Sequence, residues 1–399
     1  RPDTKHTIDC ANDFGVTVKM ITGDHRAIAV ETCRTLGMGT NVLGAEKLPL
    51  LTAQDLEAST TLGRDYGEMC RQADGFAQVF PEHKYLIVEA LRQQGYLVGM
   101  TGDGVNDAPA LKRSDVGIAV QGATSAAQAA ADIVLTQPGL STIVTAIVTS
   151  RKIFQRMKNF VIYRVACTEQ LLFFFFISCI FYHPNEYNAD WPSYFAIPVI
   201  ALVTITILND GTIISVAYDH VDASIKPEKW DLNILYIVSS AIGMVALIGS
   251  IVLLELSLDS QSPDGLWRSM GLPVMTYGEI QTLMYLKISL SDYFSVFNSR
   301  TKGWMWSRMP SIVLVGAFIL ATTCSTFLAV YWPFGNGMQG IEWDLAVYCW
   351  LYVIMWAFIQ DAAKVVTYKV LQSIGWVESV KVIDEKALKR GRDAVLGAL

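Results

Sequence analysis

The 399 residues are 52% hydrophobic and only 17% charged, with a mean hydropathy of +0.34. A soluble domain carries about 25% charged residues, so an ordinary cytosolic enzyme is excluded, as are a disordered and a collagenous chain. The net charge of −6, with no block of Lys or Arg, argues against a nucleic-acid binder, and the seven cysteines form no CxxC that would indicate a disulfide framework or a zinc site.

The chain opens on Arg1-Pro2-Asp3 with no initiator Met, signal peptide or targeting tail, and reads as the middle of a longer protein. Residues 16–21 are a β-branched run that predicts a strand ending at Thr22-Gly23-Asp24, and 26–36 predict a helix stopped by Gly37. Residues 44–72 fit a surface loop and helix. A strand at 76–80, a helix from Pro81 to Gln94 and a strand at 96–100 follow, the last running into Thr101-Gly102-Asp103-Gly104-Val105-Asn106-Asp107. Short strands at 116–120 and 133–135 complete the pattern. Strands alternating with helices imply a parallel sheet covered on both faces, with ligands at the carboxyl ends of the strands.

From residue 151 the chain changes solvent. Six apolar segments near 159–181, 195–216, 233–257, 276–298, 311–331 and 345–369 meet the length of about 20 residues that a spanning helix needs. The fourth is interrupted by Glu279, Lys287 and Asp292. Loops 182–194, 258–275 and 332–343 hold only Arg268, whereas the other side collects Arg151, Lys152, Arg156, Lys158, Lys226, Lys229, Arg300, Lys302 and Arg308. The positive-inside rule makes that second side cytoplasmic, and six spans return both chain ends to it. Trp191, Trp267, Trp332 and Trp343 in the low-charge loops suit an interfacial belt.

The loop 101–109 carries the strongest chemistry. Two glycines let backbone approach a ligand, and three acidic or amide side chains share one turn, which suits a hard oxygen-liganded cation such as Mg²⁺ holding a phosphoryl group. Lys84, one turn into the helix after Pro81, adds a positive charge, although a lone Lys there also fits a solvated surface. Thr22-Gly23-Asp24 alone is equally a common polar turn.

Taken together, these residues resemble a known family. Thr22-Gly23-Asp24, Phe80-Pro81-Glu82-His83-Lys84 and the run from Met100 to Leu111 are similar to the phosphorylation domain of P-type ATPases. The run from Val18 to Asp24, Arg156-Met157-Lys158-Asn159 and Leu208-Asn209-Asp210-Gly211-Thr212 resemble the plasma-membrane proton-pumping branch, over nearly the whole chain to about residue 371. The resemblance implies an α/β parallel-sheet, haloacid-dehalogenase-like cytoplasmic domain, its C-terminal part at 1–140, then an all-α membrane domain. That domain would hold a stalk and six transmembrane helices at 141–371, followed by a short cytoplasmic tail at 372–399. It implies ATP-driven proton export at the plasma membrane through an aspartyl-phosphate, with Mg²⁺ as cofactor, ATP and protons as substrates and the lipid bilayer as surroundings. By the same likeness Asp103 holds Mg²⁺, Asn106 and Asp107 order its loop, Lys84 contacts the transferred phosphoryl group, and Thr22, Gly23 and Asp24 form the site for its oxygens.

Departures from the family accompany the likeness. The Asp-Lys-Thr-Gly-Thr motif, the nucleotide-binding domain, the Thr-Gly-Glu loop and the first four membrane helices have no counterpart here. The chain therefore reads as the C-terminal part of a pump, inactive alone and requiring the N-terminal part of the same protein.

For the ion, Asp210 lies in the second span, where a carboxylate costs about 2.5 to 3.5 kcal/mol on insertion scales and marks function. One buried carboxylate, with Asn209 beside it, suits a proton carrier. Three readings compete: Glu169, Glu255 and Asp292 join Asp210 around Na⁺, K⁺ or Ca²⁺; Asp210 caps a helix break at Gly211; or the chain is an inactive membrane-anchored phosphatase-like fragment or scaffold. Plant members of the family have an Arg near Gln170 and fungal members a His, so Arg164 becomes the nearest candidate to block proton backflow. Residues 381–393 read as an amphipathic or solvated helix.

Overall fold

The computed structural model describes residues 3–49, 60–377 and 383. The chain divides into two compact units, one over Arg1–Ser150 with Ser224–Pro227, the other over Arg151–Ala223 with Glu228–Val380.

In the first unit strands and helices alternate: α1 (Thr4–Asp13), β1 (Met20–Ile21), α2 (Arg26–Leu36), β2 (Val42–Gly44), α3 (Leu62–Gln72), β3 (Gly75–Ala77), α4 (Pro81–Gln93), β4 (Gly99–Gly102), α5 (Ala108–Arg113), β5 (Val116–Ala119), α6 (Ser125–Ala130) and β6 (Ile133–Val134). Every ladder is parallel, in two three-stranded sheets of order β1-β3-β2 and β4-β5-β6. The strands are shorter than the apolar runs that predict them. β1 starts only at Met20 because its partner β3 begins at Gly75, leaving residues 16–19 nothing to pair with. α2 ends as expected at Gly37, whose φ of +74° is the left-handed conformation that only glycine adopts at little cost. α1 and β2 are additions to the expected elements; within 44–72 the structure describes β2 and α3, and 50–59 lie outside the described residues. α4 joins two cores: Leu86, Ile87 and Ala90 pack with Leu62, Cys70 and Phe76, while Val88 packs with Met100, Leu111 and Ala119.

The six expected membrane segments coincide with α7 (Ser141–Phe181), α8 (Val199–Ile214), α9 (Leu232–Leu258), α10 (Tyr277–Ser299), α11 (Ile312–Val330) and α12 (Trp343–Ser373). All except α10 are long and apolar enough to cross a membrane, α8 together with the 3-10 turn that extends it to Tyr218. α10 has the length but not the composition, because 19 of its 23 residues are buried by its neighbours and need not be apolar. Its first acidic residue does not interrupt the span: Glu279 accepts from the Thr276 amide at 2.7 Å in a capping box at the helix start. α11, with five of 19 residues buried, is peripheral.

Two further expectations are corrected. Trp267 and Trp332 are buried rather than interfacial, because the loops fold back and give each indole N–H a carbonyl, Pro273 at 2.8 Å and Gly335 at 3.1 Å. Trp343 is exposed. Arg300, one of the basic residues on the side expected to be cytoplasmic, is buried against Asp219, with Nε 2.8 Å from Oδ2. The expected tail helix at 381–393 lies outside the described residues except for Ile383.

Candidate phosphoryl and ion sites

The loops at the carboxyl ends of β1, β3 and β4 meet through a short series of contacts. The Val79 amide donates to Thr22 O (3.2 Å) and the Gln78 amide to Asp24 O (3.0 Å), joining the first loop to the segment that enters α4. Gln78 takes φ +57°, a left-handed conformation that is strained for a residue with a side chain and found where function demands it. Pro81 then opens α4, and the buried His83 fixes its start by accepting from the Phe80 amide at 3.3 Å. Burial pushes the His83 imidazole down from its ordinary value, so it stays neutral near pH 7.

One turn into α4, Lys84 Nζ lies 2.6 Å from Asp107 Oδ1, with side-chain exposures of only 19% and 8%. The other carboxylate oxygen of Asp107 accepts from the amides of Asp103 and Gly104, both at 3.2 Å. Burial acts to raise the Asp107 carboxyl, but the hydrogen bond from Lys84 and those from the loop amides outweigh it and hold the group below the ordinary carboxylate range. Gly102 is required here, since a Cβ on it would sit 2.5 Å from Asp107 Cβ. Thr22 Oγ1 donates to Asp24 at 2.8 Å, so those two side chains are mutually oriented. Gly23, Asn106 and Asp103 are exposed.

This donor set fits Mg²⁺. Asp107 is committed to Lys84 and the amides, whereas the Asp103 carboxylate points outward from a loop that Asp107 has already ordered. Mg²⁺ characteristically takes one or two carboxylates plus phosphate oxygens and water. No cluster of three or more His, Cys, Asp or Glu occurs among the described residues.

In the second unit Arg164 Nη1 of α7 lies 2.8 Å from Asp210 Oδ1 of α8. The expectation that Asp210 is buried is corrected: its side chain is 55% exposed on these helices, while Asn209 is buried. Consecutive residues point about 100° apart on a helix, so turning Asn209 toward α10 turns Asp210 toward α7. Asn209 Nδ2 donates to Asp292 Oδ2 at 2.5 Å, and Tyr163 donates to Asn209 Oδ1 at 3.2 Å. α8 runs unbroken through Gly211, so Asp210 caps no break. The other acids do not gather on it: Glu169 accepts from Ser240 at 2.9 Å and Glu255 from Tyr187 at 3.0 Å. The buried Gln170 bonds to Ser250 and Ser291.

Residues 1–115 match the family model described as haloacid dehalogenase-like hydrolase. Over 393 residues, 94% of this chain, the sequence is 46% identical to "Probable proton ATPase 1A" of Leishmania donovani. Identity to "Probable plasma membrane ATPase" of Dictyostelium discoideum is 40% over 387 residues, 92% of this chain. This chain resembles proton ATPases. It spans 40% of the length of the first of these ATPases and 34% of the second. The loops at 22–24 and 101–107 are legible in the sequence, but Gln78 and the contact of Asn209 with Asp292 are not, because one is a backbone conformation and the other a tertiary pairing.

Proposed function

We propose that this chain supplies the phosphoryl-handling loops and the ion path of an ATP-driven proton export pump of the plasma membrane, a multi-pass protein with both ends of this chain cytoplasmic. The pairing of Arg164 with Asp210 at 2.8 Å between two apolar helices carries the ion assignment. Arg164 stays charged throughout, and in this reading it holds Asp210 between transport events and withdraws when the proton is carried. Relative movement of α7 and α8 thereby loads and unloads the carrier. Moving one charge across about 100 mV costs about 2.3 kcal/mol, a modest load for a pump.

In the first unit Lys84 places a cation beside the acidic loop, and Asp107 keeps it there. Thr22 and Gly23 offer a hydroxyl and an amide to phosphoryl oxygens at the end of β1. Mg²⁺ held by Asp103 supplies charge neutralisation on those oxygens when bound. The reaction proceeds in our reading through an aspartyl-phosphate on an Asp-Lys-Thr-Gly-Thr segment. No such run occurs in these 399 residues, and the chain alone is expected to form no acid-stable phosphoenzyme.

The test is reconstitution of the complete protein in sealed vesicles. With ATP and Mg²⁺ it should acidify the lumen in choline medium free of Na⁺, K⁺ and Ca²⁺. A strict need for one of those cations would replace the proton with that ion.

A further inference from the structure

α10 carries two opposite charges that the mechanism above leaves unused. Lys287 stands near the middle of this 23-residue helix, about 15 Å from its start and about 18 Å from its end, and is wholly buried. Its Nζ donates to Ala246 O at 2.7 Å and to Ser250 Oγ at 2.6 Å, both on α9. Gln170 of α7 also reaches Ser250 Oγ, at 3.5 Å, and its own amide oxygen accepts from Ser291 on the next turn of α10 at 3.3 Å. The ammonium thus bonds one main-chain carbonyl and one hydroxyl, both of α9, and Gln170 of α7 and Ser291 of α10 extend this polar cluster through Ser250, with no carboxylate ion-paired to Lys287 among the described residues.

Asp292 follows five residues later. That offset turns it about 140° around the helix, to face Asn209 on α8 instead of Lys287. One of its oxygens is buried without a partner. A buried charge of either sign costs several kcal/mol unless compensated, and Asp292 offsets the ammonium only through space, without contact, so the charge at this depth calls for a use. Carbonyl and hydroxyl oxygens gathered from several helices are what replaces the water around a dehydrated alkali-metal ion. A tethered ammonium satisfies the same oxygens without drawing an ion from solution.

We propose that Lys287 is a resident cation that occupies the polar cluster around Ser250, where α7, α9 and α10 meet, in place of an alkali-metal ion, so that the membrane unit takes up no metal and is left to carry protons. The proposal rests on reading this unit as the ion path of a proton pump, and it makes Lys287 a residue that determines ion specificity.

The test uses the complete protein with Lys287→Gln, compared with wild type in NaCl, KCl and choline chloride at constant ionic strength. Wild type should unfold at one temperature in all three salts. The variant, with the polar cluster left without its cation and Asp292 without its offsetting charge, should gain about 5 °C or more in NaCl or KCl at saturating cation, and its ATP hydrolysis should become dependent on that cation. Recovery of the variant only when purified in Na⁺ or K⁺ would count equally in favour. The Lys287→Gln, Asp292→Asn double variant, lacking both charges, should again be indifferent to salt. A folded Lys287→Gln as indifferent as wild type would overturn the proposal. So would a single variant lost in every salt beside a well-folded double variant, since Lys287 would then only balance Asp292. Wild-type proton uptake in choline tests the pump reading separately from these comparisons.

Discussion

Asp103 and Asp107 stand four residues apart in one loop, yet replacing them by Ala should have opposite structural costs. Asp107→Ala removes the partner of Lys84 and the acceptor of the Asp103 and Gly104 amides in a site where the two paired side chains are 19% and 8% exposed. Breaking a buried pair by deleting one member costs about 3–5 kcal/mol, and the partial exposure of Lys84 puts this case near the lower end. At 1.4 kcal/mol per tenfold, about 3 kcal/mol raises the opening equilibrium of the loop roughly a hundredfold. Amide hydrogen exchange at Asp103 and Gly104 reads this directly. Asp103 is exposed, and its replacement by Ala should change stability by no more than about 0.5 kcal/mol. In the complete protein, Asp103→Asn should nevertheless greatly impair Mg²⁺-dependent phosphoryl transfer, because the metal loses an anionic ligand where charge develops. Equal destabilisation by the two Ala variants, or exchange in Asp107→Ala accelerated by less than about threefold, would refute the division of labour.

Two buried carboxylates bear on the acid limit of the first unit. Asp107 and Glu89 are both held below their ordinary values, in each case against burial, Asp107 by Lys84 and Glu89 by Arg113. Their stabilisation is therefore present above the unfolded values of about 3.9 and 4.3 and is lost as pH falls below them. Lys84→Met leaves only the loop amides to oppose burial at Asp107 and should move the acid unfolding midpoint, followed by circular dichroism, to higher pH; an unchanged midpoint would contradict the coupling. In the second unit, Asp219→Ala strands Arg300 at 1% side-chain exposure and removes the acceptor of the Ser311 amide, so thermal unfolding should report a loss of about 3–5 kcal/mol. A loss below about 1 kcal/mol would show that Arg300 finds another partner.

What could be read from the sequence depended on how local the cause was. Gly37 ends α2 through its own backbone conformation, and the glycines and acids from 101 to 107 carry their chemistry within one loop, so both were visible without a structure. β2 was missed because a three-residue buried strand, Val42–Gly44, leaves no periodic signal. Glu279 was taken as a flaw in a span because a cap is recognisable only once the helix start is known, and α10 was doubtful because its charges are covered by other helices. The choice between Asn209 and Asp210 as the buried member is likewise tertiary. Neighbouring residues face directions about 100° apart, and only packing against α10 decides which turns inward. Trp267 and Trp332 misled for a related reason, since folded-back loops supplied the carbonyls that an interface would otherwise provide as water.

The central claim is that Asp210, opposite Arg164, carries the proton, and proton uptake by the complete Asp210→Asn protein in sealed vesicles tests it most directly. The amide keeps the size of the side chain and most of its hydrogen bonding while removing the titrating group. The variant should fold, and it should still accept phosphate from ATP while failing to acidify the vesicle lumen. Normal acidification by Asp210→Asn would contradict the account.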